Sequence, residues 1–200
     1  SFETTGRQQL VRAKPVLLRS LAKGRQTDLQ LAQLEPGGEI QFFPFGQQAQ
    51  AGDRFLIGFD VPLPAGQPFG LYFQVFQDYP VRRNPIEQGD GFQPLAELRW
   101  EYWTEKGWRP ARLSMDQSYQ MVQDGFVEFS LPEPMAEGKD GLYWLRAVLE
   151  QSWYEVAPRL TGLYANLLPV VQQATGADYG DFPADGEEPI LLDHRLADHA

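Results

Sequence analysis

The middle of the chain is written in period two. In FLIGFDV, Phe55, Ile57, Phe59 and Val61 share one face, and Leu56, Gly58 and Asp60 take the other. GLYFQVFQ sets Leu71, Phe73 and Val75 against Tyr72, Gln74 and Phe76. FVEFSL sets Val127, Phe129 and Leu131 against Phe126, Glu128 and Ser130. In YWLRAVLE, Tyr143, Leu145, Ala147 and Leu149 oppose Trp144, Arg146, Val148 and Glu150. A last run, LTGLYANLLPV from Leu160, is strand-like until Pro169. Each run has the length of a strand, and turn signals separate them: Gly52-Asp53, Gly66, Glu105-Lys106-Gly107, Asp124-Gly125 and the stretch from Gly138 to Gly141. No comparable stretch keeps a 3.6-residue period. The pattern predicts a mainly β protein, an antiparallel β-sandwich of jelly-roll type.

Outside this block the pattern changes. QLVRAKPVLLRSLAKG has apolar residues, but Pro15 breaks any long helix, which predicts extended chain or a short turn. LQLAQLEP fits a helical turn or a strand equally well. Residues 78–94, rich in Pro, Gly and charge, read as a surface excursion between strands. After Ala174 the composition is that of a tail, with EPILLDHRL as one apolar patch. Three regions are expected: a basic N-terminal extension over 1–37, a sandwich domain over 38–174 and an acidic C-terminal tail over 175–200.

Within ELRWEYWTEKGWRPARL, alternation sends Leu98, Trp100 and Tyr102 to the core and Arg99, Glu101 and Trp103 outwards. Glu105-Lys106-Gly107 makes a hairpin turn that brings Trp108 beside Trp103. Glu101 and Glu105 lie on one face only if the strand runs on. They would then stand about 13 Å apart at about 3.3 Å per residue, too far for a glycosidase pair. They read as solvent-facing strand carboxylates.

Composition removes most other chemistry. The 200 residues contain no cysteine, which excludes disulfides, thiolate catalysis, cysteine-ligated zinc and iron–sulfur clusters, and fits a cytoplasmic origin. The two histidines, His194 and His199, lie in the final seven residues, so the core has no base for a Ser–His arrangement. No phosphate-binding glycine pattern follows a strand. The acids Asp178, Asp181, Asp185, Glu187 and Glu188 could supply oxygen ligands to calcium, but their spacing is not that of an EF-hand loop. No enzyme activity, cofactor or metal is expected.

Apolar runs fall well short of the roughly 20 residues a membrane span needs, and no signal-peptide pattern opens the chain. It begins at Ser1 rather than at a methionine, as a piece of a longer protein would. A net charge of −10 argues against general nucleic-acid binding. That charge is unevenly placed. Arg7, Arg12, Lys14, Arg19, Lys23 and Arg25 face only Glu3 in the first 27 residues, whereas the last 25 hold seven acids against Arg195.

The order of the segments carries a resemblance. QFFPFGQQA is followed by GDRFLIGFDVPLPAGQPFGLYFQV and LRWEYWTEKGWRPARLSMD, then DGFVEFSLPEPM, GLYWLRAVLE and YEVAPRLTGLYANLLPV. From about Gln41 to Val171 this succession resembles a domain of baseplate assembly proteins of contractile injection systems, the relatives of contractile phage tails. The departures are Asp116-Gln117-Ser118, where the family has Asp-x-Thr, and Asn166-Leu167-Leu168, where it has Asn-Thr-Val. The basic arm and acidic tail have no counterpart there. The resemblance implies a structural, non-catalytic role in a baseplate wedge, with other baseplate or tail subunits as partners and no catalytic residues to carry over. Trp103, Trp108, Arg82, Arg83, Arg12, Lys14 and Arg19 are the expected interaction surface. A carbohydrate-binding sandwich is the alternative, and it would require Trp103, Trp108 and Trp153 to line one accessible groove.

Overall fold

The computed structural model describes residues 2–4, 12–31, 40–76, 95–165 and 170–172. Twelve strands follow one another: β1 (Phe2–Thr4), β2 (Pro15–Ala22), β3 (Arg25–Gln30), β4 (Arg54–Phe59), β5 (Pro68–Val75), β6 (Ala96–Thr104), β7 (Gly107–Pro110), β8 (Arg112–Asp116), β9 (Gly125–Ser130), β10 (Tyr143–Ser152), β11 (Leu160–Ala165) and β12 (Val170–Gln172). The chain divides into two units. One comprises Ser1–Thr5 with Pro169–Ala200, in which β1 and β12 pair antiparallel. The other, Gly6–Leu168, holds the remaining strands.

This larger unit is the β-sandwich the alternation predicts. A six-stranded sheet of order β3-β2-β4-β10-β6-β7 and a four-stranded sheet of order β11-β5-β9-β8 are antiparallel throughout. Their shared core takes Phe55, Ile57, Phe59, Trp100, Tyr102, Leu145, Ala147 and Leu149 from the larger sheet. The smaller sheet contributes Phe69, Leu71, Phe73, Val127, Phe129 and Leu163. Trp100 joins the layers: its ring lies edge-on to Phe129 at 4.8 Å and tilted to Phe73 at 5.9 Å. Of the two faces that alternation separates in β4, β5, β9 and β10, the one with Phe55, Leu71, Val127 and Leu145 is buried or packed on this core, whereas Val61, beyond the end of β4, is exposed.

The extension expected over 1–37 does not hold for residues 15–30, which form a hairpin in the larger sheet. Pro15 opens β2, where a missing N–H costs least. Leu18 and Ser20 then face inwards, while Leu17 and Arg19 face out. Lys23 and Gly24 both adopt positive φ, 51° and 72°, as a two-residue turn of type I′ demands. Asp53 anchors that turn by accepting the Lys23 N–H at 3.1 Å and, on its other oxygen, the Gln50 N–H at 2.8 Å. The surface excursion at 78–94 and the tail at 175–200 lie outside the described residues.

Between β8 and β9 the chain makes a rarer turn. Tyr119, Gln120 and Met121 all have left-handed backbones, with φ of 49°, 63° and 63°. That conformation costs L-residues about 1–2 kcal/mol each. Asp116 offsets the cost: one carboxylate oxygen accepts the Ser118 N–H and hydroxyl, and the other accepts the Gln120 N–H. The Ser118 hydroxyl in turn accepts the Met121 N–H at 3.0 Å. A hydroxyl at position 118 is what this cap requires, and serine supplies it.

On the outer face of the smaller sheet, Phe126 lies over Gly70. A Cβ at Gly70 would stand 1.7 Å from the ring's Cζ. Gly70→Ala is therefore expected to displace Phe126 and destabilise the protein by about 1–3 kcal/mol, read from a shift in the urea midpoint at unchanged slope.

Candidate functional site: the outer face of the six-stranded sheet

Residues that alternation sends away from the core form two ordered rows on the outer face of the larger sheet. The first is mostly charged: Asp28, Arg19, Leu56, Arg146, Glu101 and Pro110 stand opposite one another across β3, β2, β4, β10, β6 and β7. The second is apolar. Leu17 stands opposite Gly58, Gly58 opposite Trp144, and Trp103 opposite Trp108. Leu17, Leu56 and Trp144 are buried there, with Leu21, Trp103, Trp108 and Leu142 packed around them as a second, smaller core.

The hairpin that carries two of these tryptophans forms as expected. Thr104 pairs with Gly107 across the turn, and its hydroxyl donates to the Gly107 carbonyl at 2.8 Å while accepting the Lys106 N–H at 3.2 Å. Gly107, at φ 92°, takes the conformation a side chain would resist. Trp103 and Trp108 meet edge-on at 5.4 Å, an arrangement favoured by ring quadrupoles.

Cations cover the rings. The Arg146 guanidinium lies 3.9 Å from the Trp108 centroid and that of Arg19 lies 4.8 Å from Trp144. Trp144 donates its indole N–H to Asp140 at 2.9 Å and folds over Gly58, where a Cβ would come within 3.1 Å of the ring. Arg19, Leu56, Trp103, Trp108, Trp144, Gly138, Lys139 and Asp140 line a shallow groove of about 400 Å³.

Glu101 is not the solvent-facing carboxylate its position in the strand suggests. It is buried and accepts from Arg146 Nε and Nη2, each at 2.6 Å, and also pairs with Arg99. The reason is register: β6 lies inside the sheet, so its outer face is covered by Arg146 of β10 and Pro110 of β7. Burial pushes the Arg146 pKa down, Glu101 pulls it back up, and the nearby charges of Arg54 and Arg99 add to the lowering. Arg19 is the opposite case. Its two hydrogen bonds to Asp28, both 2.9 Å, raise its pKa and hold the Asp28 carboxyl below its ordinary value.

Of the expected surface residues, the structure brings Trp103, Trp108 and Arg19 together in this groove. Arg12 and Lys14 are exposed on the segment leading into β2, where the Lys14 N–H donates to Asp60 at 2.8 Å. Arg82 and Arg83 lie outside the described residues. Trp153 is 52% exposed just past the end of β10, with its N–H on the Leu95 carbonyl, and does not line the groove. Sequence reasoning passed over Trp144, Arg146, Lys139 and Asp140 as site residues. Alternation puts the first two on one face, opposite Leu145 and Ala147, but only strand pairing shows that this face is the outer one and that they meet Trp103 and Trp108. Among the described residues no group of three or more His, Asp or Glu could hold a metal ion. No protein-family model matches the chain, and no curated protein matches it.

Two measurements probe this face. Glu101→Met leaves the half-buried Arg146 without its carboxylate, and a loss of about 1–3 kcal/mol in chemical unfolding is expected. Glu101→Met with Arg146→Met is expected to cost distinctly less than Glu101→Met alone. The Asp28 carboxyl is more acidic folded than unfolded, so the folded state binds fewer protons around the ordinary value of 3.8. The stability from this pair is complete above that value and is lost as pH falls through the folded pKa. Asp28→Asn should therefore flatten the acid limb of a stability–pH curve and lower the plateau at neutral pH.

Proposed function

We propose that the protein is a structural, non-catalytic domain of a baseplate component in a contractile, phage-tail-like injection system, and that it mediates subunit assembly in the cytoplasm. One observation carries this reading beside the succession of segments: the polar groups of those segments satisfy one another. Glu101 of WEYW pairs with Arg146 of YWLRA at 2.6 Å. Tyr102 of WEYW accepts the Glu133 N–H of the FSLPEPM segment at 2.9 Å, and the Leu63 N–H of VPLP reaches Met135 Sδ of that same segment at 3.4 Å. Aromatic members of the same motifs, Trp100, Tyr102 and Phe129, fill the core.

Segments so arranged maintain a rigid scaffold and leave little chemistry for a substrate. No helix among the described residues is long and apolar enough to cross a membrane. One face of Trp108 and one of Trp144 already carry a guanidinium, which favours their role in covering the sheet over a sugar-stacking role.

The full chain, co-expressed with the sheath, tube and spike proteins of such a particle, is expected to co-purify with baseplate components in fixed stoichiometry. Binding to none of them, together with tight binding on a glycan array, would replace this reading by the carbohydrate one.

A further inference from the structure

The cations on the outer face of the larger sheet fall into two kinds. Arg19, Arg99 and Arg146 each hold a carboxylate. Arg54 and Lys139, both exposed, have no ion-pair partner among the described residues. Lys139 lines the groove beside Trp144, and Trp144 stands opposite Gly58 of β4. Arg54 lies four residues back along the same strand, on the same face, with Leu56 between them. At about 3.3 Å per residue, the strand positions of Arg54 and Gly58 are about 13 Å apart. The face thus has a cation at each end and an apolar floor of Leu56 and Trp144 between. It belongs to a protein whose net charge is −10.

We propose that this face receives an acidic–aliphatic segment from a second copy of the chain. Lys139 and Arg54 would each meet a carboxylate, and the groove over Trp144 and Leu56 would take the aliphatic side chains between them. The chain carries such a segment in its sequence: Glu188 and Asp193 are separated by Pro189, Ile190, Leu191 and Leu192. The five steps from Glu188 to Asp193 can span at most about 16 Å, enough to cover the roughly 13 Å of strand between Arg54 and Gly58. Each copy would present one patch to a different patch on its neighbour, a heterologous contact that can propagate. The inference does not depend on the baseplate reading, because it concerns association of the chain with itself.

Sedimentation velocity on the full chain tests it. Association should rise with protein concentration at low ionic strength and weaken at about 0.5 M salt, where charges are screened within a few ångströms. Lys139→Glu, Arg54→Glu and Glu188→Lys should each weaken it by about tenfold or more. The charge swap Lys139→Glu with Glu188→Lys should restore much of the loss. Arg54 and Lys139 are surface residues, so unchanged urea midpoints will confirm that these variants fold. A monomer at every concentration would overturn the proposal, as would association that ignores these substitutions or a swap that restores nothing. Such results would leave the test with sheath, tube and spike proteins unaffected.

Discussion

Trp100 sets the spacing of the sandwich. Its ring enters between the sheets from β6 and rests against Phe73 of β5 and Phe129 of β9, so one side chain touches two strands of the opposite layer. Around it the large rings Phe55, Phe59, Phe69 and Phe73 are fully buried. Large side chains in a close-packed interior leave little freedom to shift one sheet over the other. The registers of β6 and β10, and with them everything displayed on the outer face, follow from that constraint.

The outer face is unusual in being packed a second time. A sheet with one solvated face would alternate apolar and polar residues. Here Leu17, Leu56 and Trp144 are buried outside the main core, beneath Arg19, Arg146 and the two tryptophans of the hairpin. The Glu101 carboxylate has a specific role in this layer. It neutralises Arg146 and leaves that guanidinium free to lie on Trp108, so the ion pair and the ring contact support each other. Hydrogen bonds and ring contacts fix the orientation of side chains that an aliphatic cluster would leave interchangeable.

How much of this was legible in the sequence depends on the distance over which the signal acts. Alternation is local, so the inward face of β6, the two faces of β4, β5, β9 and β10 and the hairpin at Gly107 could be read directly. The hairpin of β2 and β3 was obscured. Pro15 and the run of basic residues suggested a solvated arm, and Lys23-Gly24 lacks the Asn-Gly or Asp-Gly that usually marks a type I′ turn. Glu101 reads as solvent-facing from its strand alone because its burial depends on which residue of β10 stands opposite, and that is set by packing across the whole sheet. The three left-handed residues at 119–121 carry no glycine to announce them. The capping carboxylate of Asp116 that holds them is visible only as a common turn residue.

The edges of the two sheets have a consequence for how the protein behaves in a crowded solution. β3 is a polar strand with Arg25 and Asp28, and β7 is only four residues long and ends in Pro110. β8 carries an irregularity between Leu113 and Met115, and the start of β11 is already paired with Phe42. Each edge is therefore a poor template for an additional strand. At high concentration such a sandwich resists the runaway strand pairing that leads to fibres, and what it offers to recognition is side chains rather than free backbone.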